Sequence, residues 1–196
     1  KPTNHMVYGE ATAVLAGDGL LTAAFETALG AGAYLPAGQV TQALELLACA
    51  AGPAGMVGGQ ALDMAGEGHV LTLSDVEELQ KLKTGALISA AAELGVVAAG
   101  GSEAQRKAVR TYAQKLGLAF QIRDDMLDVA GDQDSLGKSV GSDVRAEKTT
   151  FVTLKGLEEC GNMVERLTDE AIAALSIFAD PWFLEELARA MVGRTN

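Results

Sequence analysis

Apolar residues recur at three- and four-residue intervals along most of the chain, and no stretch sustains strict alternation of polarity. The first such stretch runs from Val7 to about Leu29 and ends where glycine and proline accumulate in "GAGAYLPAG". A second helix is predicted from about Gln39 to Ala51, where Gly52-Pro53 breaks it. A short third helix covers "AGMVGGQALDMA", and its paired glycines indicate close packing against a neighbour. Ser74 and Glu77 in "SDVEEL" stand at capping-box spacing and open a helix to about Ala99. Ser102 and Gln105 repeat the device and open the longest helix, to about Val129. After a polar loop, helical spacing resumes from about Thr150 to Leu175, with an interruption at Gly156. Asp180-Pro181 reads as an N-cap followed by proline at the first helical position. The pattern predicts one all-α domain over 1–196, a helical bundle with short connections. "GAGAYLPAG" follows a helix rather than a strand, so it is a connector and not a dinucleotide-binding loop.

Composition narrows the class of partner. A net charge of −11 argues against nucleic acid, because phosphate backbones require clustered Lys and Arg. Cys49 and Cys160 stand apart from each other and from His, and read as reduced packing residues of a cytoplasmic protein. The most apolar stretch, Gly85 to Gly100, carries Glu93 and is rich in Ala, which predicts a buried helix and no membrane span. Trp182 and Phe183 are expected to anchor the last helix, and Met56, Met64 and Met126 to fill the core. The sequence opens on Lys1 with no initiator Met, as a trimmed or longer chain would.

One charge pattern does not fit a packing helix. Gln121, Asp124, Asp125 and Asp128 are three and four residues apart, so helical geometry places them together amid Phe120, Ile122, Met126 and Leu127. Like charges at that spacing repel, and Asp is a poor helix former. A solvated face is the plain explanation, but such faces usually mix in Lys. A hard divalent cation such as Mg²⁺, which takes one or two carboxylates and fills its remaining positions with water or phosphate, explains the cluster better. The two histidines, His5 and His69, lie in no Glu-x-x-His motif, which argues against di-iron and zinc sites. Lys83, Lys138 and Lys148 each adjoin Gly or Thr. Each alone reads as a surface lysine; beside the aspartates they suggest a diphosphate bridged between ammonium groups and Mg²⁺.

These blocks, in this order, resemble the trans-isoprenyl diphosphate synthases of the bacterial farnesyl diphosphate synthase type. "FQIRDDMLDVAGDQDSLGKSVGSDVRAEKTT" is similar to that family's second aspartate-rich motif with its Gly-Lys loop and Lys-Thr pair; "GGQALDM" and "LKTGALI" match two further blocks. "KPTNHMVYGEATAVLAGDGLL" is similar to the segment following the family's first aspartate-rich motif. The resemblance covers essentially the whole chain and implies a helical bundle of the isoprenoid synthase type. It implies Mg²⁺ on Asp124, Asp125 and Asp128, and an allylic diphosphate contacted by Lys83, Thr84, Gln121, Lys138 and Lys148. Asp124, Asp125, Lys83 and Lys138 would carry catalysis, ionising the allylic diphosphate so that isopentenyl diphosphate can attack the cation. A homodimer and a short-chain product such as farnesyl diphosphate are implied with it. The chain departs from the family at Gln80, where His is usual three residues before the Lys-Thr pair. The first aspartate-rich motif and the isopentenyl-binding basic residues would precede Lys1, so these 196 residues, if complete, are expected to be inactive. The alternatives are a non-catalytic partner subunit of a prenyl synthase and a terpene cyclase.

Overall fold

A computed structural model describes residues 2–135 and 149–193, and only the backbone of 130–135. Among the described residues every regular element is helical and none is a strand. The first predicted helix is broken at Gly9, whose φ of 83° only glycine adopts without strain, giving α1 (Asn4–Tyr8) and α2 (Glu10–Gly30). A single 3₁₀ turn, Ala31–Ala33, leads into α3 (Ala37–Ala51), and α4 (Met56–Ala65) follows Gly52-Pro53. The next helix, α5 (Leu73–Gln80), runs through a π turn at Lys81–Gly85 into α6 (Ala86–Ala98). The longest element, α7 (Glu103–Ser135), continues past the predicted end at Val129. Gly156, with φ of 79°, separates α8 (Phe151–Lys155) from α9 (Leu157–Ala174), and α10 (Trp182–Val192) closes the described chain.

Two cap assignments moved. The box at the start of α5 is Thr72 with Asp75, not Ser74 with Glu77: the Asp75 N–H donates to the Thr72 hydroxyl, and the Thr72 N–H donates to the Asp75 carboxylate at 2.9 Å. Both boxes obey the sequence rule. The earlier one also lets Leu71, just before the cap, pack on the cluster that holds Val76, forming a hydrophobic staple. These bonds hold the Asp75 carboxyl below the usual carboxylate range. The Ser102–Gln105 box is as predicted, with the Ser102 N–H donating to Gln105 Oε1 at 2.8 Å. At α10 the Pro181 carbonyl accepts from the Glu185 N–H, so proline itself occupies the cap position and Asp180 lies before it.

The core runs along α7 in two clusters. Ala119 and Ile122 join Phe151, Cys160 and Leu167 in one; Ala113 and Leu116 join Val96, Ala171 and Leu175 in the other. Fully burying a side chain such as Ile122 or Leu116 contributes roughly 1.5–3 kcal/mol. Glu93, buried at 3 % exposure inside apolar α6, is tolerated because Arg110 grips it with two bonds of 2.7 and 2.6 Å and Arg106 approaches at 3.5 Å.

Several packing expectations are corrected. Trp182 and Phe183 are 61 % and 64 % exposed and meet each other edge to face instead of anchoring the core. Met64 is exposed and Met56 half-buried, while Met126 packs on the core edge. Cys160 is buried but Cys49 is exposed, and both are free. By length and composition alone, Glu10–Ala33 and Ala37–Ala65, at mean hydropathy 1.2 and 1.3, reach membrane-spanning dimensions, the second across the break at Gly52-Pro53. In α2 no residue is buried, and Val14, Leu15 and Leu20 are open.

Candidate functional site

Two close backbone approaches build the site, and the first depends on glycine. Gly59 of α4 lies against the π turn: a Cβ there would come within 2.2 Å of the Lys83 nitrogen and 2.5 Å of its Cα. Gly85, which ends the turn, faces Gly117 of α7, where a Cβ would be 3.6 Å from the Gly85 Cα. The π turn is thus wedged between α4 and α7. Such turns insert one residue into the helical ladder, which re-aims the side chains they carry; here these include Lys83 and Thr84.

From Gly117, residues at 100° per step bring Gln121, Asp124 and Asp128 back to within about 40° of the same direction. This stripe of α7 continues from the Gly85 contact, one turn further at Gln121 and two turns further at Asp124. Gln121, Asp124, Lys83 and Thr84 are half-buried, and Asp128 is exposed. Asp125 sits about 80° round the helix from Gly117, at the edge of the stripe. Its Oδ2 accepts from the Phe151 N–H at 2.9 Å, which ties α7 to the first turn of α8. Its charge, after burial, also helps push the Cys160 thiol up, so that this thiol stays protonated.

Lys83 is held at its far end too. Its Nζ donates to Asp63 Oδ2 at 2.6 Å; the Asp63 side chain is 12 % exposed and that of Lys83 33 %. Asp63 follows Gly59 by one helical turn, so a single face of α4 meets both the backbone and the ammonium of Lys83. Asp63 has no role assigned from the sequence; its four-residue spacing from Gly59 within "GGQALDM" is the signal that places both on one face. Lys138 and Lys148 lie outside the described residues. Thr149, next to Lys148, accepts from the Leu71 N–H at 3.2 Å, which fixes the entry to α8 against the start of α5. The side-chain oxygen of Gln80 is buried with no partner among the described residues.

Among the described residues no three His, Cys, Asp or Glu side chains gather closely enough to enclose an ion alone. Mg²⁺ needs less, since one or two carboxylates suffice when a phosphate and waters complete the octahedron. Asp124 and Asp128, one turn apart on one stripe, are hard oxygen donors that suit it.

Comparison with known proteins identifies the family. Residues 1–176 match the polyprenyl synthetase family. The chain belongs to that family. A farnesyl diphosphate synthase of Geobacillus stearothermophilus is 47 % identical over 158 residues, 80 % of this chain and 53 % of that protein. The solved structure of an FPP/GFPP synthase from Zymomonas mobilis superposes with a TM-score of 0.84 at 36 % identity, over 98 % of this chain and 65 % of that one. A geranyltransferase from Helicobacter pylori, solved with magnesium and isoprenyl diphosphate, gives 0.79 at 35 % identity, over 98 % and 63 %. The all-α fold is thus that of the isoprenyl synthases. The chain spans between about half and two thirds of the length of these polyprenyl synthetase relatives.

Proposed function

We propose that the protein is a prenyltransferase that condenses an allylic diphosphate, dimethylallyl or geranyl, with isopentenyl diphosphate to a short-chain prenyl diphosphate, releasing diphosphate. What supports this reading is membership of the polyprenyl synthetase family, together with the packing of the π turn that carries Lys83 and Thr84 against Gly117 of the helix that carries Gln121, Asp124 and Asp128. In this reading Asp124 and Asp128, with Asp125 behind them, hold Mg²⁺ toward the diphosphate, and Lys83 with Lys138 and Lys148 neutralises its oxygens. Mg²⁺ supplies Lewis-acid stabilisation of the departing diphosphate. The Lys83 ammonium is oriented before that charge develops, and preorganised charge of this kind lowers the barrier to breaking the C–O bond. Association as a homodimer in the cytoplasm belongs to the same proposal, and the open apolar residues of α2 support a covering partner.

The test is incubation of the protein, at the length its reading frame encodes, with Mg²⁺, dimethylallyl diphosphate and isopentenyl diphosphate. A longer prenyl diphosphate is the expected product, and its carbon count gives the chain length. A cyclic hydrocarbon would move the assignment to a terpene cyclase. Binding without turnover would move it to a partner subunit, and absence of Mg²⁺-dependent binding would contradict the site.

A further inference from the structure

We propose that Asp63 is a positioning residue for the diphosphate-binding role of Lys83, an inference that rests on the reading just given. Lysine is ordinarily a weak choice for a preset contact, since its flexible stem leaves the ammonium free to wander and a ligand must freeze it on arrival. Here α4 fixes both ends of the residue. Gly59 lets the helix touch the Lys83 backbone, and Asp63, one turn later, accepts from its Nζ at 2.6 Å. The carboxylate is the more buried partner, at 12 % exposure against 33 %, so the anchor sits in the protein while the ammonium stays accessible. An ammonium has three N–H donors, and this bond uses one. The others remain for an incoming phosphate oxygen.

Asp63 also brings a negative charge near an anion, and the two effects have opposite consequences when it is changed. Removing the whole carboxylate loses the anchor, whereas Asp63→Asn keeps an acceptor oxygen in place and removes only the charge. The structure favours the anchor, because Lys83 sits in a π turn whose backbone is already set by Gly59 and Gly85, and its side chain is the remaining freedom.

The experiment is calorimetry of inorganic diphosphate with Mg²⁺ on the full-length protein. Asp63→Ala is expected to weaken binding about tenfold, and Asp63→Asn to stay within about threefold of wild type. In a Lys83→Ala background the Asp63→Ala change is expected to cost clearly less than it does in wild type. Thermal melts check folding. Asp63→Glu, which keeps charge and bulk but shifts the carboxylate by one methylene, is expected to weaken binding as well. Unchanged or tighter binding in both Asp63→Ala and Asp63→Glu overturns the proposal, and so does an equal loss with and without Lys83. If wild type and Lys83→Ala bind alike, the assignment of Lys83 itself falls and takes this inference with it. Failure of Asp63 alone leaves the Lys83→Ala effect standing.

Discussion

Asp125 Oδ2 accepts from the buried backbone N–H of Phe151 at 2.9 Å, joining α7 to α8 across 26 residues of sequence. The contact satisfies one of the N–H groups that a helix start leaves without an internal partner, and places a negative charge at its positive end. Asp125→Ala is therefore expected to cost about 1–2 kcal/mol of stability. Asp128→Ala, on an exposed side chain, is expected to stay within about 0.5 kcal/mol of wild type. Urea denaturation of the two variants checks this, and equal midpoints would show that the bond to Phe151 contributes nothing.

Gly59 makes a sharper case. An added methyl group would overlap the Lys83 backbone nitrogen, which is not the end of a flexible side chain and cannot swing aside. Gly59→Ala should destabilise the protein by about 2–3 kcal/mol by forcing α4 and the π turn apart. It should also weaken Mg²⁺-dependent diphosphate binding through misplacement of Lys83. A variant with wild-type stability and binding would mean that the two backbones are not in contact.

Gly59 shows what the sequence could and could not reveal. The paired glycines of α4 announced a close approach, but not that the neighbour would be the "LKTG" block more than twenty residues away. The π turn itself was illegible. A π and an α turn share nearly the same apolar spacing, so the pattern does not distinguish them; in the folded chain the turn lies between Gly59 and Gly117. Ser102 and Gln105 were legible because no competing box lies beside them. Thr72 and Ser74 each begin a valid box, and only the packing of Leu71 separates them. The aspartate helix was read correctly as a helix, yet its spacing could not tell that Asp125 turns to Phe151 while Asp124 and Asp128 follow Gly117.

Tyr112 links α7 to α10 by donating its hydroxyl to the Leu184 carbonyl at 2.7 Å. Burial pushes its pKa from 10.0 up to about 12. The neutral phenol is the favoured form in the folded protein, so this contribution is fully present below pH 10.0 and is lost as pH rises toward about 12. Tyr112→Phe should lower stability at neutral pH by about 1 kcal/mol and flatten the decline between those two pH values. Denaturation midpoints across that range check it, and a decline of unchanged slope in the variant would assign the alkaline loss to other groups.

In the proposed function Lys83, on the π turn, and Asp124, on the α7 stripe, grip one diphosphate from two sides, the second through Mg²⁺. The most direct measurement is a double-mutant cycle on Mg²⁺-dependent binding of inorganic diphosphate, with Lys83→Ala, Asp124→Ala and the combined variant. Each single change should weaken binding at least about tenfold, and the double variant should lose less than the sum, with a coupling of about 1 kcal/mol or more. Strictly additive losses, or a single variant that binds as wild type does, would contradict a shared site.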